Sequence, residues 1–264
     1  MMWAAAVLVV SYGTRAAGQS AATEQAPGAE EQQKLIAAVR EYADRYVSNL
    51  PNFLCIQVTE QYQTGRKADH WLRGDTLTSK LVFSNGREQR SLELVNNKAA
   101  KDGRRRHSPL ETEGEFGVLL DRIFSERSHA SFTWNRWDVV RGKRVAVFDY
   151  AIDREHSTLK LMRSDLAQAI IAYDGLLYAD AETGAVWRVT MTLKDIPAEL
   201  ETDSSSTTID YEEATIGGVR YLLPLAATVE MSASKHLIRN EIRFENYQKF
   251  DTDSTITYST AAPQ

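Results

Sequence analysis

Apolar and polar residues alternate along much of the second half of the chain. In one run, Trp187, Val189, Met191 and Leu193 occupy every second position, with polar residues between them. Alternation with a period of two is typical of a strand that has one buried and one solvent-facing side. Similar runs continue through residues 170–258. The pattern therefore predicts an antiparallel sheet with large apolar side chains on one face.

Turn signals between these runs predict hairpins. Asn85-Gly86 and Gly217-Gly218 each separate two strand-like segments. Such dipeptides favour the left-handed backbone conformations that two-residue hairpin turns require. Residues 203–206 are polar, and they are predicted to interrupt the strands.

Helical periodicity is confined to two stretches. Leu35 and Val39 begin an apolar stripe at helical spacing after Glu30, and Pro51 is predicted to end this helix. A short second helix is predicted around Leu119. The fold class is therefore α+β and β-dominated, with a few helices on one face of the sheet.

The N-terminus has the features of an export signal. Residues 4–10 form a short apolar run, and Ala16, Ala17 and Gly18 supply the small residues that signal peptidase requires. The run is shorter than the roughly 20 residues that a membrane-spanning helix needs. The protein is therefore predicted to be periplasmic or secreted. The chain is predicted to contain a signal peptide over residues 1–22, a flexible linker over 23–33 and a single domain over 34–260.

Composition narrows the function classes. The 264 residues carry a formal net charge of −5, with 25% charged and 43% hydrophobic residues, which is ordinary for a soluble globular protein. A nucleic-acid-binding domain usually carries a basic stripe, so the acidic balance argues against that partner. Cys55 is the only cysteine, so no intrachain disulfide can form. We expect it to be a buried structural thiol on the first strand.

The polar stretch of residues 96–114 is predicted to be a long loop. It contains the densest basic cluster of the chain, at residues 104–107. A loop of this length in a compact domain is either a functional element such as a lid or a solvated surface segment. Both interpretations stay open at this point.

The sequence contains no catalytic or cofactor signature. Its histidines are His70, His107, His129, His156 and His236. They lack the spacing of a metal site, and neither a nucleophile-elbow motif nor a glycine-rich phosphate loop occurs. The chain is therefore predicted to be non-enzymatic, with no catalytic residue, metal ligand or cofactor.

Four segments carry a family resemblance. They are residues 52–56 (NFLCI), 177–187 (LYADAETGAVW), 217–224 (GGVRYLLP) and 240–247 (NEIRFENY). Together with the amphipathic N-terminal helix, they resemble the outer-membrane lipoprotein-sorting (LolA/LolB/RseB-like) superfamily. The resemblance implies an antiparallel incomplete β-barrel, a curved sheet whose concave face is covered by a few helices and can take up acyl chains. The same superfamily includes members that sense or scaffold envelope components.

Apolar positions on the strands provide candidate ligand-binding residues. An apolar cavity can hold an acyl chain because each buried methylene contributes about 0.8 kcal/mol. The candidates are Phe83, Leu94, Phe148, Tyr150, Trp187, Met191, Tyr221, Leu223, Ile242 and Phe244. The alternative interpretation is that these side chains are core residues beneath the helices.

A second cluster combines aromatic and charged residues. On a regular strand, Trp134, Arg136 and Asp138 would line one face and Trp137 the other. A surface aromatic residue beside an arginine suits recognition of a partner. Packing of Trp134 against a neighbouring strand is the alternative.

Two functions therefore stay open. The first is an exported, non-enzymatic envelope protein that binds a lipid or another hydrophobic ligand, similar to lipoprotein carriers. The second is an envelope scaffold or interaction module of the same fold with no bound ligand. The predicted partners are a lipid or acyl-chain ligand and an envelope protein, with no nucleic acid and no transmembrane anchor.

Overall fold

The computed structural model describes residues 25–65, 70–100, 116–162, 167–233 and 236–250. These residues form two α-helices, α1 Ala29–Asn49 and α2 Val118–Phe124. The strands are β1 Phe53–Gly65, β2 Leu72–Ser84, β3 Arg87–Val95, β4 Lys98–Ala99, β5 Ser131–Val140, β6 Lys143–Ile152, β7 Lys160–Met162, β8 Gln168–Ile170, β9 Ala172–Asp180, β10 Val186–Lys194, β11 Thr202–Ile216, β12 Val219–Ala233 and β13 His236–Lys249. The predicted signal peptide, the basic cluster at 104–107 and the end of the predicted strand region at 254–258 lie outside the described residues.

One open antiparallel sheet dominates the fold. It has eleven strands in the order β4-β3-β2-β1-β13-β12-β11-β10-β9-β6-β5, and β7 and β8 form a separate hairpin. The end strands β4 and β5 are not paired with each other, so the sheet does not close into a barrel. The prediction of a β-dominated α+β fold with an incomplete antiparallel barrel is confirmed.

One side of α1 packs against the sheet. Its buried residues are Leu35, Val39, Ala43 and Tyr46, which lie three or four positions apart. Leu50 is extended, as expected for a residue before Pro51. The helix begins at Ala29, so the last part of the predicted linker at residues 23–33 is helical. Within the described residues, no helix is long and apolar enough to cross a membrane.

Close contact with the turn between β9 and β10 fixes the position of α1. Gly184 in this turn has a φ of +71°, and a Cβ atom there would lie 2.5 Å from the carbonyl carbon and oxygen of Ala38. Glycine alone combines this left-handed conformation with such a close approach of two backbones. The turn and the helix therefore contact each other without an intervening side chain.

The second helix packs on the same side of the sheet. Its buried residues are Leu119, Leu120, Ile123 and Phe124. They join one core cluster with Val39 of α1 and with Phe53 of β1. We call this side of the sheet the inner face and the opposite side the outer face.

Two segments that were predicted to be irregular contain strands. The predicted break at residues 203–206 is wrong, because β11 runs through it and Ser205 pairs with Met231 of β12. Pairing with a long neighbouring strand outweighs the weak strand propensity of serine and aspartate. The predicted loop at 96–114 begins with a tight turn at Asn96 and Asn97, both with positive φ, and continues into β4. Its remainder from residue 101 lies outside the described residues.

Candidate functional site

A row of paired residues crosses the inner face and divides it into two parts. The row consists of Leu77, Thr59, Ile242, Ala227, Ile209, Val189 and Leu177, each opposite the next on neighbouring strands. Towards α1 lies the covered part, which includes Phe53, Cys55, Leu81, Phe83, Tyr211, Leu223 and Phe244. Beyond the row, Val229 and Tyr173 are still buried in the same core cluster. We call the partly exposed apolar residues beyond the row the open part, namely Met191, Leu193, Met231 and Ile238.

Aromatic rings fill the covered part. Phe53 is fully buried, and its ring centroid lies 5.0 Å from that of Phe83 and 5.2 Å from that of Phe116. Phe116 also contacts Phe244 edge-on at 5.3 Å. Ring pairs of this kind contribute about 0.5–1.5 kcal/mol each beyond the burial of their area. The covered part is therefore a close-packed core between the sheet and the helices.

Buried hydroxyl and thiol groups in the covered part are held neutral. The Tyr46 hydroxyl of α1 donates a hydrogen bond to the Leu222 carbonyl at 2.9 Å. Burial raises the pKa of Tyr46 well above its ordinary value. Burial also raises the pKa of the Cys55 thiol to about 12, which disfavours the reactive thiolate. The prediction that Cys55 is a buried thiol on the first strand is confirmed.

The open part differs in the exposure of its apolar side chains. All four of its apolar residues are partly exposed, whereas Phe53 is 0% and Phe244 is 3% exposed in the covered part. Their exposure falls in the same range as that of Ile56 on the outer face of β1. An accessible apolar surface next to a packed core can receive an apolar ligand.

Buried polar side chains also lie on the inner face. They are Gln57, Thr59, Ser79, Thr207 and Asn240, with exposures between 1% and 8%. Sequence reasoning missed them because it followed apolar residues alone. Their signal is nevertheless visible in β1, where Gln57 and Thr59 continue the alternation that begins at Phe53 and Cys55.

Most of the predicted ligand-binding residues lie on the inner face. They are Phe83, Phe148, Tyr150, Met191, Tyr221, Leu223, Ile242 and Phe244. Six of these are exposed by 3% or less and belong to the packed core. Met191 and Tyr221 are partly exposed, so a ligand can reach them without displacing core side chains.

Trp187 lies on the outer face, contrary to the expectation that it shares a face with Val189. The pairing register between β9 and β10 shifts by one residue between Val186 and Arg188. Such a bulge adds one residue and changes the face to which a side chain points. As a result, Trp187 packs with Tyr178 in a separate cluster, whereas Val189 belongs to the inner core.

A second bulge changes the face of Leu94. Leu92 pairs with Ser79, but Leu94 pairs with Thr78, because the ladder between β2 and β3 shifts at this point. Ser79 is on the inner face, so Thr78 and its partner Leu94 are on the outer face. The expectation that Leu94 lines the inner face is therefore wrong.

The tryptophans of β5 are arranged differently from the regular strand that was predicted. The ladder between β5 and β6 shifts between Trp134 and Arg136. Trp134 and Trp137 therefore contact each other at 4.9 Å, and Trp134 packs against Phe148 at 5.4 Å. Arg136 forms an ion pair with Asp138 at 2.9 Å. The assignment of Trp134 and Arg136 to one face is therefore wrong. The alternative interpretation, that Trp134 packs against a neighbouring strand, is correct.

A groove of about 630 Å³ lies between α1 and the strands β5 and β6. Its apolar residues include Ile36, Phe132, Trp134 and Phe148. Its polar residues are Gln32, Gln33, Arg40, Glu41 and Asp44. Among the described strands β5 stands at the end of the sheet, so the groove lies beside an edge strand.

The ionisable groups of the strands form ion pairs. Asp210 of β11 lies 2.7 Å from the Nε atom of Arg188, and Glu212 lies 3.0 Å from Arg141. Within the described residues, no group of three or more His, Cys, Asp or Glu side chains is arranged to hold a metal ion. On the inner face, apolar contacts and neutral hydrogen bonds are joined by the ion pair of Glu88 and Arg90, which lie opposite Phe83 and Leu81.

Comparisons with known proteins find structural likeness. No family model and no curated protein matches the chain. A LolA superfamily protein from Nitrosomonas europaea is similar at 10% identity and a TM-score of 0.35, covering 84% of this chain and 97% of that chain. An outer membrane lipoprotein-sorting protein domain from Vibrio parahaemolyticus is similar at 11% identity and a TM-score of 0.36, with coverage of 81% and 93%.

A third solved structure is the MucA/MucB complex of Pseudomonas aeruginosa. The likeness has 10% identity and a TM-score of 0.23, and it covers 82% of this chain and 94% of that chain. These matches extend over most of the chain at low identity. They agree with the resemblance that the sequence predicts, and they concern the fold.

Proposed function

We propose that this protein is a non-enzymatic component of the cell envelope that binds a lipid or another hydrophobic ligand on the open part of the inner face. One observation carries the proposal. The apolar side chains of the open part are accessible although they lie on the same face as the packed core. Contiguous accessible apolar surface in a soluble protein often marks a site that a ligand or partner covers.

The arrangement of the open part suits an alkyl chain. Met231 lies directly opposite Ile238 on neighbouring strands, and Met191 and Leu193 follow each other on the inner face of β10. Each methylene that such a surface buries contributes about 0.8 kcal/mol. Methionine adapts its shape to irregular partners, so the surface can accept chains of differing length and bend.

The N-terminal sequence supports a location in the envelope. The apolar run at residues 4–10 is followed by small residues, as in an export signal. A protein exported with this signal would be periplasmic or secreted, where it meets membrane lipids and lipid-modified proteins. Fractionation of cells that express the full chain tests this location directly.

Lipid recovery tests the binding proposal. Protein that has been unfolded, delipidated and refolded is incubated with an envelope lipid extract, and bound lipid is measured by mass spectrometry. We expect recovery with the wild type and loss in a variant that carries Met231→Glu and Ile238→Glu. Ile56→Glu is the matched control, because Ile56 is also partly exposed but lies on the outer face. Absence of lipid from the wild type, or equal loss in the control, would contradict the proposal.

The groove beside β5 favours a second candidate function, an envelope interaction module. An extended segment of a partner protein could pair with the end strand while its side chains enter the apolar groove. A photo-reactive residue at Ala37, which lines the groove, should then crosslink an envelope protein in cells. The same residue at position 56 should not. Crosslinks from both positions, or from neither, would count against a specific partner in the groove.

A further inference from the structure

Four uncharged polar side chains lie along the row that divides the inner face, two on its covered side, one in the row and one beyond it. They are Gln57 and Thr59 of β1, Ser79 of β2 and Asn240 of β13, and none is more than 7% exposed. Gln57 lies directly opposite Ser79, and Asn240 lies opposite the inner-face position that follows Thr59 on β1. We call these four residues the polar patch.

Gln57 provides an acceptor that no described residue uses. Its amide nitrogen donates a hydrogen bond to Thr59 Oγ1 at 3.1 Å. Its carbonyl oxygen, Oε1, is buried and accepts no hydrogen bond from the described residues, although the side chain is only 5% exposed. A buried carbonyl oxygen without a donor is unfavourable. A hydrogen-bond donor on a bound molecule that reaches this oxygen would remove the cost.

The polar patch carries no charge of its own. On β3, which pairs with β2, the Arg90 side chain lies 3.9 Å from Glu88, so this pair offers no net charge. A carboxylate or phosphate at the patch would lose its hydration next to the Gln57 carbonyl oxygen, without a cation in the patch to compensate. A hydroxyl or an amide N–H can donate to that oxygen without bringing a charge.

We propose that the ligand is an amphiphile with an uncharged hydrogen-bond donor, a hydroxyl or an amide N–H, which binds Gln57 Oε1. This inference rests on the proposed function, since the alkyl part is placed on the open part of the inner face. The two surfaces adjoin each other, because Asn240 of the patch is followed on the inner face of β13 by Ile238. Ile238 in turn lies opposite Met231.

Competition among three probes of one chain length tests the inference. A monoacylglycerol, the same compound with both hydroxyls acetylated, and the fatty-acid anion each displace a fluorescent fatty-acyl probe from the full-length protein. We expect the monoacylglycerol to bind about tenfold more tightly than the other two, because it forms one additional hydrogen bond with the protein. Gln57→Leu should abolish this preference. Gln248→Leu, at an exposed position of β13, should preserve it.

An NMR measurement gives a second readout that needs no variant. The shift of the Gln57 side-chain carbonyl carbon should change on addition of the monoacylglycerol and stay unchanged with the acetylated compound. Equal affinities for all three probes would overturn the inference about the donor while leaving binding of the alkyl chain intact. Failure of every probe to compete would overturn the proposed function itself. If the chemical shift of this carbonyl carbon does not change on addition of the monoacylglycerol, the inference is overturned, and the Gln57 oxygen is assigned to a hydrogen bond with a buried water.

Discussion

The covered and open parts of the inner face belong to the same strands, yet they differ in what packs against them. On β13, Phe244 is 3% exposed in the covered part, whereas Ile238 is partly exposed in the open part. On β12, the same contrast holds between Leu223 and Met231. Each of these strands runs through both parts, and a shift of the register between β11 and β12 lies between Leu223 and Met231. Strand position alone therefore does not determine burial, and the side chains that pack over the sheet, including those of α1 and α2, bury the covered part.

The two parts also differ in the chemistry of their side chains. The covered part contains stacked and edge-on aromatic rings such as Phe53 and Phe116. Aromatic rings have few rotatable bonds, and their preferred contact geometries favour one packing. The open part contains methionine, leucine and isoleucine, and its methionines adapt easily to different partners. The difference is the one expected between a core that stabilises the fold and a surface that accommodates a ligand.

Truncation of a ring in the covered part should have the largest effect. Phe53→Ala removes a fully buried ring that contacts Phe83 and Phe116. We expect the free energy of unfolding to fall by about 3–5 kcal/mol, because the cavity remains partly unfilled. Denaturant titration measures the change, with Ile56→Ala on the outer face as the control. A loss of similar size in both variants would contradict the contrast between buried and accessible positions.

Displacement of α1 should have the next largest effect, because this helix forms part of the cover. Gly184→Ala places a Cβ atom against the backbone of Ala38 in a left-handed conformation. We expect a loss of about 2–3 kcal/mol from the strained backbone and the forced shift of the helix. Hydrogen exchange should show weaker protection of the α1 amides.

Gly142→Ala is the matched control for this change. Gly142 has a φ of +76°, but a Cβ atom there meets no atom within 4 Å. It should therefore show the conformational penalty alone, about 1 kcal/mol. If both variants lose the same stability and α1 keeps its protection, the turn does not hold the helix.

High pH should destabilise the covered part. Burial raises the pKa of Cys55 from an ordinary value of about 9 to about 12. The unfolded chain therefore releases this proton at lower pH than the folded chain does. The contribution to stability is complete below pH 9 and is lost as the pH rises towards 12, by up to about 1.4 kcal/mol per pH unit.

The matched variant for this pH dependence is Cys55→Ala. Its free energy of unfolding should fall less steeply between pH 9 and 12 than that of the wild type. Buried tyrosines such as Tyr46 also make the stability of both proteins depend on pH in this range. Equilibrium unfolding at a series of pH values measures the two slopes. Identical slopes would mean that Cys55 ionises in the folded protein as readily as in the unfolded chain.

Sequence patterns were sufficient for the first helix and for the hairpin of β2 and β3. The spacing of Leu35 and Val39 predicted α1, and the signal at Asn85-Gly86 predicted the hairpin of β2 and β3. These signals are local, because helix periodicity and turn conformation depend on neighbouring residues. They also placed Cys55 correctly in a buried strand position.

The same patterns failed where the geometry depends on distant partners. Trp187 and Leu94 continue their local alternation without interruption, but bulges at their ladders place both on the outer face. A bulge depends on how two strands fit together, and the sequence of one strand does not record it. The partial exposure of Met191 was equally hidden, since burial depends on the side chains that pack over a strand.

A substitution in the open part should change stability least, and its effect on binding decides what this surface does. Met231→Gln replaces a partly exposed side chain, so we expect a loss of less than about 1 kcal/mol in the free energy of unfolding. Leu81→Gln is the counterpart in the covered part, where burial of an amide in an apolar core should cost several times more free energy of unfolding.

The affinity for an acyl ligand should be affected in the opposite order, more by Met231→Gln than by Leu81→Gln. Met231→Gln should bind the ligand about fivefold more weakly because apolar contact is lost. A variant that keeps its stability and loses affinity is expected of a binding surface. If Met231→Gln instead lowers stability as much as Leu81→Gln and leaves binding unchanged, the open part is core, and the distinction between the two parts fails.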